Sequence, residues 1–347
     1  MLKKGEYRVP DPHLLLIFVV IVLALTFDFI NGFHDTANAI ATSISTKALR
    51  PRTAIVLASV MNFVGAMTFT GVAKTIGGKI ADPLSLSNGL VIVLAALLAA
   101  SAWNLITWYY GLPSSSSHAL IGSLTGAVIA AAGFSAVNFH GFINILKALV
   151  FSPILAVGVG FTIMTLIKLV FRNAVPHRIN RRFRMLQVFT AAFQAFSHGT
   201  NDAQKTMGII TFALVAGGFQ SSLHVPFWVK LSAALAMALG TSVGGWRIIK
   251  TVGTRIIKLE PGSGFSADLS SALVILGATL LKLPVSTTHV ISSSVIGVGT
   301  ARRFSTVKWG TAQKIVLAWV VTLPVTAVLA GLSYGLCAGI GRLAAVF

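Results

Sequence analysis

The chain has 347 residues, is 55% hydrophobic and only 10% charged, and its mean hydropathy is +0.85. No soluble domain of this size has such a composition, so a polytopic membrane protein is expected. The net charge of +19 does not indicate nucleic acid, because Lys and Arg gather in short gaps between apolar segments and no basic stripe carries interleaved aromatics.

In chain order the apolar runs predict spans over 13–46, 53–74, 89–111, 118–134 and 141–171. A basic loop follows at 172–184, and further spans are predicted over 186–214, 227–247, 267–282, 289–300 and 312–341. The first and sixth spans read as interrupted, at 31–38 and 197–205. Gly is abundant, with 32 copies, as suits helices packed closely in lipid. The short alternating segments of a β-barrel are missing. Lys3, Lys4 and the apolar run from Leu14 resemble a signal peptide, but without a small-residue cleavage site they read as the first span. Cys337 is the only cysteine, so a disulfide or a cysteine metal site within one chain is excluded. A P-loop is also missing, which leaves ATP-driven pumping unsupported. Trp103, Trp108, Tyr109 and Tyr110 read as an interfacial belt. Gly331, Gly335 and Gly339 read as a helix-packing stripe, internal in preference to a homodimer face.

Two polar motifs occur twice. Asn31-Gly-Phe-His-Asp35-Thr-Ala-Asn38 pairs with His198-Gly-Thr-Asn-Asp202-Ala-Gln-Lys205, and Pro113-Ser-Ser-Ser-Ser-His118 pairs with Pro284-Val-Ser-Thr-Thr-His289. The copies lie 167 and 171 positions apart, so order and spacing both repeat. This divides the chain into a first transmembrane repeat (1–171), a basic cytoplasmic loop (172–185) and a second repeat (186–347). With the basic loop inside, five passes per half place both termini outside and insert the halves in opposite directions, as an inverted repeat. Lys3, Lys4 and Arg8 fall on the wrong side of that topology, and the later basic loops outvote them. The fold class is thus an all-α polytopic membrane protein, an inverted five-plus-five repeat with broken helices. The Pro-Ser/Thr-His motifs are either tips of re-entrant hairpins or ends of full spans.

The motifs carry distinct chemistry. Pro followed by Ser/Thr and an apolar run is a helix start, whose free N–H groups and positive dipole end suit an anion. Ser115, Ser116 and Ser117 align with Ser286, Thr287 and Thr288, so two such starts are expected to converge on one oxyanion. Asp35 and Asp202, with Asn38 and freed carbonyls, form a site for a hard cation or a proton, and are the residues expected to hold any metal. A carboxylate beside an anion repels it unless neutralised, which is the physical basis of symport. Asp28, two helical turns before Asp35, is a candidate relay, with Ala195 at the equivalent position. His34, His118, His198 and His289 are candidate proton shuttles or orienters of hydroxyls. Lys205 either neutralises an Asp or touches the anion.

These four motifs, in this order, resemble the inorganic phosphate transporter (PiT) family over essentially the whole chain. The resemblance implies secondary active transport of inorganic phosphate coupled to Na+ or H+. The Ser/Thr tips with Asn201 and Gln204 are then expected at the phosphate, and Asp35, Asp202, Asn38, Asp28 and His34 at the coupling ion. His34, where many members have Asn, is similar to the bacterial low-affinity permeases. That likeness implies a bacterial plasma-membrane protein coupled to H+, carrying phosphate as a neutral complex with Mg2+ or another divalent ion. No cofactor is implied beyond the transported ions.

Alternatives remain at this level. Na+ coupling stays open. A sulfate permease on the same fold fits less well, because sulfate brings no proton at neutral pH and needs no carboxylate acceptor. Two matched half-sites favour alternating access over a channel, and Ser117 beside His118 does not supply the nucleophile–base geometry of an enzyme.

Overall fold

The computed structural model describes residues 12–86, 88–173 and 175–344. Lys3, Lys4, Arg8 and both chain ends therefore lie outside the described residues. Among the described residues all regular structure is helical. The first half holds α1 (Pro12–Ser45), α2 (Pro51–Ala66), α3 (Gly71–Lys79), α4 (Gly89–Tyr110), α5 (Ser116–Ala132) and α6 (Phe139–Val170). The second holds α7 (Pro176–Ala216), α8 (Phe227–Val243), α9 (Trp246–Lys250, continued by a π-helical turn Thr251–Arg255), α10 (Pro261–Leu280), α11 (Thr287–Arg302) and α12 (Trp309–Ala344).

The packing repeats between the halves. Helix α1 lies on α8 as α7 lies on α2, α5 lies on α12 as α11 lies on α6, and α1 meets α4 as α7 meets α10. Small residues set the spacing at equivalent places. The backbone of Ala327 crowds the face of Gly126, and Val157 does the same to Gly297.

Five helices are long and apolar enough to cross a membrane, and there are up to seven spans if each bent pair is one. The bends are 69° between α2 and α3 and 70° between α8 and the segment Ile248–Arg255. Helices α5 and α11 have 17 and 16 residues, so each is only about 25 Å long and falls short of a ~30 Å hydrocarbon core. The spans expected over 118–134 and 289–300 are therefore not full crossings by length. Each follows an extended approach, at 112–115 and 283–286, so the Pro-Ser/Thr-His motifs lie where extended chain turns into helix.

The helices break elsewhere than the motifs suggest. Helices α1 and α7 run unbroken through 31–38 and 197–205. Gly32 and Gly199 instead allow close approach: a Cβ on Gly32 would sit 2.5 Å from Met237 O, and one on Gly199 would strike Asn62 O. The basic segment 172–185 is likewise mostly helix, because Pro176 at the first helical position starts α7 there. Of the glycine stripe only Gly331 faces the bundle, 3.7 Å from Ala130 if given a Cβ, while Gly335 and Gly339 face open space. Of the aromatic cluster, Tyr109 and Tyr110 are exposed, whereas the Trp103 indole donates to Thr322 inside the bundle.

Replacing Gly126 with Ala drives a methyl group into the α12 backbone, and overpacking of this kind costs about 1–3 kcal/mol. The expected outcome is a lower melting temperature in detergent. Gly158→Ala, where a Cβ meets nothing within 4 Å, should melt at or above wild type.

Candidate functional site

Continuity of α1 and α7 decides how the motif residues meet. On an unbroken helix, residues three and four apart share a face. Asn31, Asp35 and Asn38 therefore form one stripe on α1, and His198, Asp202 and Lys205 form the matching stripe on α7. The helices pack side by side, and ligand atoms of Asp35, His198 and Asp202 come within 4.8 Å of one another. All of these side chains are fully buried.

Hydroxyls from the two helix starts close onto this pair. Ser116 Oγ donates to Asp35 Oδ2 at 2.8 Å, Thr288 Oγ1 to Asp35 Oδ1 at 2.9 Å, and Thr287 Oγ1 to Asp202 Oδ2 at 3.1 Å. Asn38 Nδ2 reaches both Thr288 Oγ1 (2.8 Å) and Asp35 Oδ1 (3.3 Å). Thr288 thus binds the second-half tip to the first-half carboxylate. Ser115 and Ser286 serve differently: each is an N-cap whose Oγ accepts from the amide of His118 (3.1 Å) or His289 (3.2 Å). Ser117 donates across the axis to Val285 O at 2.9 Å. The two tips are therefore tied to each other as well as to the carboxylates.

Charge around the carboxylates is uneven. Lys205 Nζ lies on Asp202 Oδ1, and Asn31 Nδ2 and His198 Nε2 approach Oδ2 of the same carboxylate at 3.5 and 3.3 Å. Asp35 has hydroxyls, the Asn38 amide and His34 Nδ1 at 2.9 Å, with no Lys or Arg. Asp28 is fully buried beside Thr206 and Asn31 and faces Asp202 and Lys205, but neither of its oxygens has a hydrogen bond of ordinary geometry. Among the described residues, neither Asp28 nor Asp35 has a salt bridge to Lys or Arg. Burial of a charge without a charged partner is costly.

Some expected site residues also hold the scaffold. Asn201 Nδ2 donates to Thr279 Oγ1 (3.0 Å) and Leu283 O (3.2 Å), and its Oδ1 accepts from Val285 N (3.2 Å). It fixes the approach to the second tip. His34 is its counterpart, reaching Thr107 Oγ1 at 3.1 Å, and Ser114 Oγ donates to the same Thr107 oxygen at 2.8 Å. Gln204 Oε1 accepts from Val72 N (2.7 Å) and Ala73 N (3.3 Å), and its amide donates to Thr200 O. It caps the start of α3 and is not brought to the hydroxyl tips.

Asn31 enters the centre without having been expected there, while the candidate histidines His198, His118 and His289 lie in or beside it. Asn31 and His198 approach Asp202 from four residues away or from the neighbouring helix, and the periodicity of an unbroken helix was the signal for both. His118 and His289 have ring centroids 4.5 Å apart, and His289 stacks on Trp319 at 3.9 Å. Trp319 in turn donates to Pro113 O at 3.2 Å, bracing the first tip. Asp268 is buried on α10 and is held by Thr42 and Gln187. It has no counterpart in the first half, where no repeated motif marks it.

Comparison with known proteins gives consistent matches. The phosphate transporter family profile matches residues 31–330. A Bacillus subtilis protein described as "Probable low-affinity inorganic phosphate transporter" is 60% identical over 325 residues, covering 93% of this chain and 98% of its own. One from Rhizobium meliloti with the same description is 46% identical, covering 91% and 94%. Among solved structures, "The sodium-dependent phosphate transporter" superposes with a TM-score of 0.83 at 25% identity, covering 93% of this chain and 98% of that one.

Asn201→Ala would strand the Val285 amide and the Leu283 carbonyl at the second tip. Each buried group left unpaired costs about 1–3 kcal/mol. A clear fall in melting temperature is expected, together with faster proteolysis at 281–286. A variant as stable and protected as wild type would show that Asn201 does not hold the tip.

Proposed function

The chain belongs to the phosphate transporter family, and from that premise we propose that it is an H+-coupled symporter of inorganic phosphate. The family is one of membrane transporters, and enzymatic chemistry has no part in it. The observation that carries the proposal is the use of Ser116, Thr287 and Thr288 as donors to Asp35 and Asp202.

A hydroxyl has one proton to donate. While Ser116 and Thr288 donate to an ionised Asp35, they cannot also donate to a phosphate oxygen. An ionised Asp35 moreover repels the anion. A proton on Asp35 removes both obstacles: the carboxyl no longer needs the hydroxyls and gains a donor of its own. Ser116 and Thr288 then turn to the phosphate, beside the first-turn N–H groups of α5 and α11, whose dipoles favour an anion. Phosphate binding and proton binding thereby favour each other, which is linkage between two ligands at one site. Asp28, lacking an ordinary hydrogen bond, serves as a second acceptor on the same helix. Asn201 and His34 keep the tips in register. We place the two halves in opposite orientation across the bacterial plasma membrane with both termini outside, so that the paired tips meet between two aqueous faces.

A second reading has its own support. The superposable solved structure is titled as sodium-dependent, and Asp35 with the Asn38 amide offers oxygens to Na+. A divalent ion accompanying phosphate would use Asp35, His198 and Asp202, whose ligand atoms already converge, in competition with Lys205.

Proteoliposomes loaded at equal pH with only a Na+ gradient, or with only a proton gradient, separate the readings. Concentrative phosphate uptake is expected under the proton gradient alone, and Asp35→Asn should abolish it while leaving the fold intact. Uptake driven by Na+ alone would overturn the proton reading.

A further inference from the structure

The equivalent residues of the two stripes differ in what they offer an ion. In the first half, Asp35 is flanked by Asn31 four residues before and Asn38 three residues after. The Asn31 amide turns its NH2 toward Asp202 and the Asn38 amide turns its NH2 toward Asp35 and Thr288, which fixes where each carbonyl oxygen lies. Those two oxygens, Asn31 Oδ1 and Asn38 Oδ1, are buried and have no hydrogen-bond partner among the described residues. Buried acceptors left unpaired are rare, and each needs an explanation. An unpaired amide oxygen beside a carboxylate, as Asn38 offers at Asp35, is a donor set for a hard cation.

In the second half the same two positions hold His198 and Lys205. Neither supplies an oxygen. Lysine is a donor only, with no acceptor capacity. Lys205 is 0% exposed, among the largest fully buried side chains of the molecule, and its ammonium rests on Asp202 Oδ1 just as the Asn38 amide rests on Asp35 Oδ1. Both contacts span three residues of one helix.

We propose that Lys205 is a resident cation: its ammonium fills, at Asp202, the place that a transported cation or proton takes at Asp35. The inference rests on the symport reading and adds a determinant of ion selection to it. Asp202 is neutralised permanently, so it keeps its charge-assisted contacts and orders Thr287 without recruiting an ion. Asp35 alone of the pair changes its charge state during transport. The first half couples, the second half is pre-loaded, and Asp202 offers no vacant cation position of the carboxylate-and-amide type. A lysine tethered by its own side chain does not leave with the substrate.

Lys205→Asn restores the first-half residue and tests this directly. Phosphate uptake by the purified full chain is measured in proteoliposomes with NaCl or choline chloride at equal ionic strength and pH, alongside melting temperature in the same salts. Wild type is expected to ignore Na+, because the Lys205 ammonium on Asp202, whose ligand atoms lie within 4.8 Å of those of Asp35, repels a metal ion from both carboxylates and leaves Asp35 to the proton. Lys205→Asn is expected to gain Na+ stimulation on the order of ten-fold, the equivalent of one charge-assisted hydrogen bond, and a Na+-dependent rise in melting temperature. Lys205→Arg should stay Na+-insensitive, and Asp202→Asn combined with Lys205→Asn should lose the new response. A folded Lys205→Asn that binds phosphate and remains indifferent to Na+ overturns the inference and leaves the proton reading standing. If wild type itself proves Na+-driven, the proton reading falls, and the inference is read from the Na+-to-phosphate ratio: a rise by one in Lys205→Asn supports it, and no change overturns it. If Lys205→Asn is unstable, Lys205→Gln is tested as well; instability relieved by Na+ supports the resident cation, and equal instability in both salts overturns it.

Discussion

Two buried aspartates, one on each of two continuous neighbouring helices, are the constraint around which the rest of the molecule is arranged. Asp35 and Asp202 come together because α1 and α7 pack side by side and present their motif stripes to one another. Like charges at such separation in a low-dielectric interior repel strongly. The protein answers with hydrogen-bond donors from four directions and with one lysine. Everything nearby is arranged to supply those donors. The bent pairs α2–α3 and α8–α9 flank the central helices, and α5 and α11 are short, so that their first residues stop at the carboxylates instead of passing them.

The duplicated architecture gives this centre its working character. Each half contributes a carboxylate and a hydroxyl-bearing helix start, and each tip is braced by the other half: Ser117 donates to Val285 O and Thr288 to Asp35. Neither half-site is complete alone. A site shared between two packed halves changes shape when one half moves against the other, which is what alternating access requires. The departure from symmetry is as informative as the symmetry. Asp28, His34 and the unpartnered amide oxygens belong to the first half; Lys205 and the buried Asp268 belong to the second.

Much of this was legible in the sequence, for physical reasons. Membrane residence followed from composition, and the duplication followed from two polar motifs that a bilayer tolerates only in functional places. The meeting of Asp35 with Asp202 and the placement of the Ser/Thr tips at helix starts followed from that duplication. The main difference concerns where the helices break. Glycine beside polar residues suggested broken helices, but Gly32 and Gly199 admit the neighbouring backbone and leave α1 and α7 intact. A broken helix hides the four-residue spacing of Asn31 to Asp35 and His198 to Asp202, so Asn31 is not expected in the site and His198 is read only as a candidate shuttle or orienter of hydroxyls. Gln204 was assigned to the anion by its position in a motif, whereas its carbonyl is consumed by the amides of Val72 and Ala73. Asp268 falls within the span expected over 267–282 but belongs to no repeated motif, and its partners Thr42 and Gln187 come from two other helices.

On the proposed mechanism, Ser116 and Thr288 exchange Asp35 for the substrate when that carboxylate is neutralised, while Thr287 stays on Asp202. A phosphate-bound structure of the protein, determined in lipid at low pH, tests this most directly. The account predicts phosphate at the first turns of α5 and α11, with Ser116 and Thr288 turned from Asp35 to phosphate oxygens and Lys205 still on Asp202. Phosphate bound elsewhere, with Ser116 and Thr288 still donating to Asp35, would contradict this exchange.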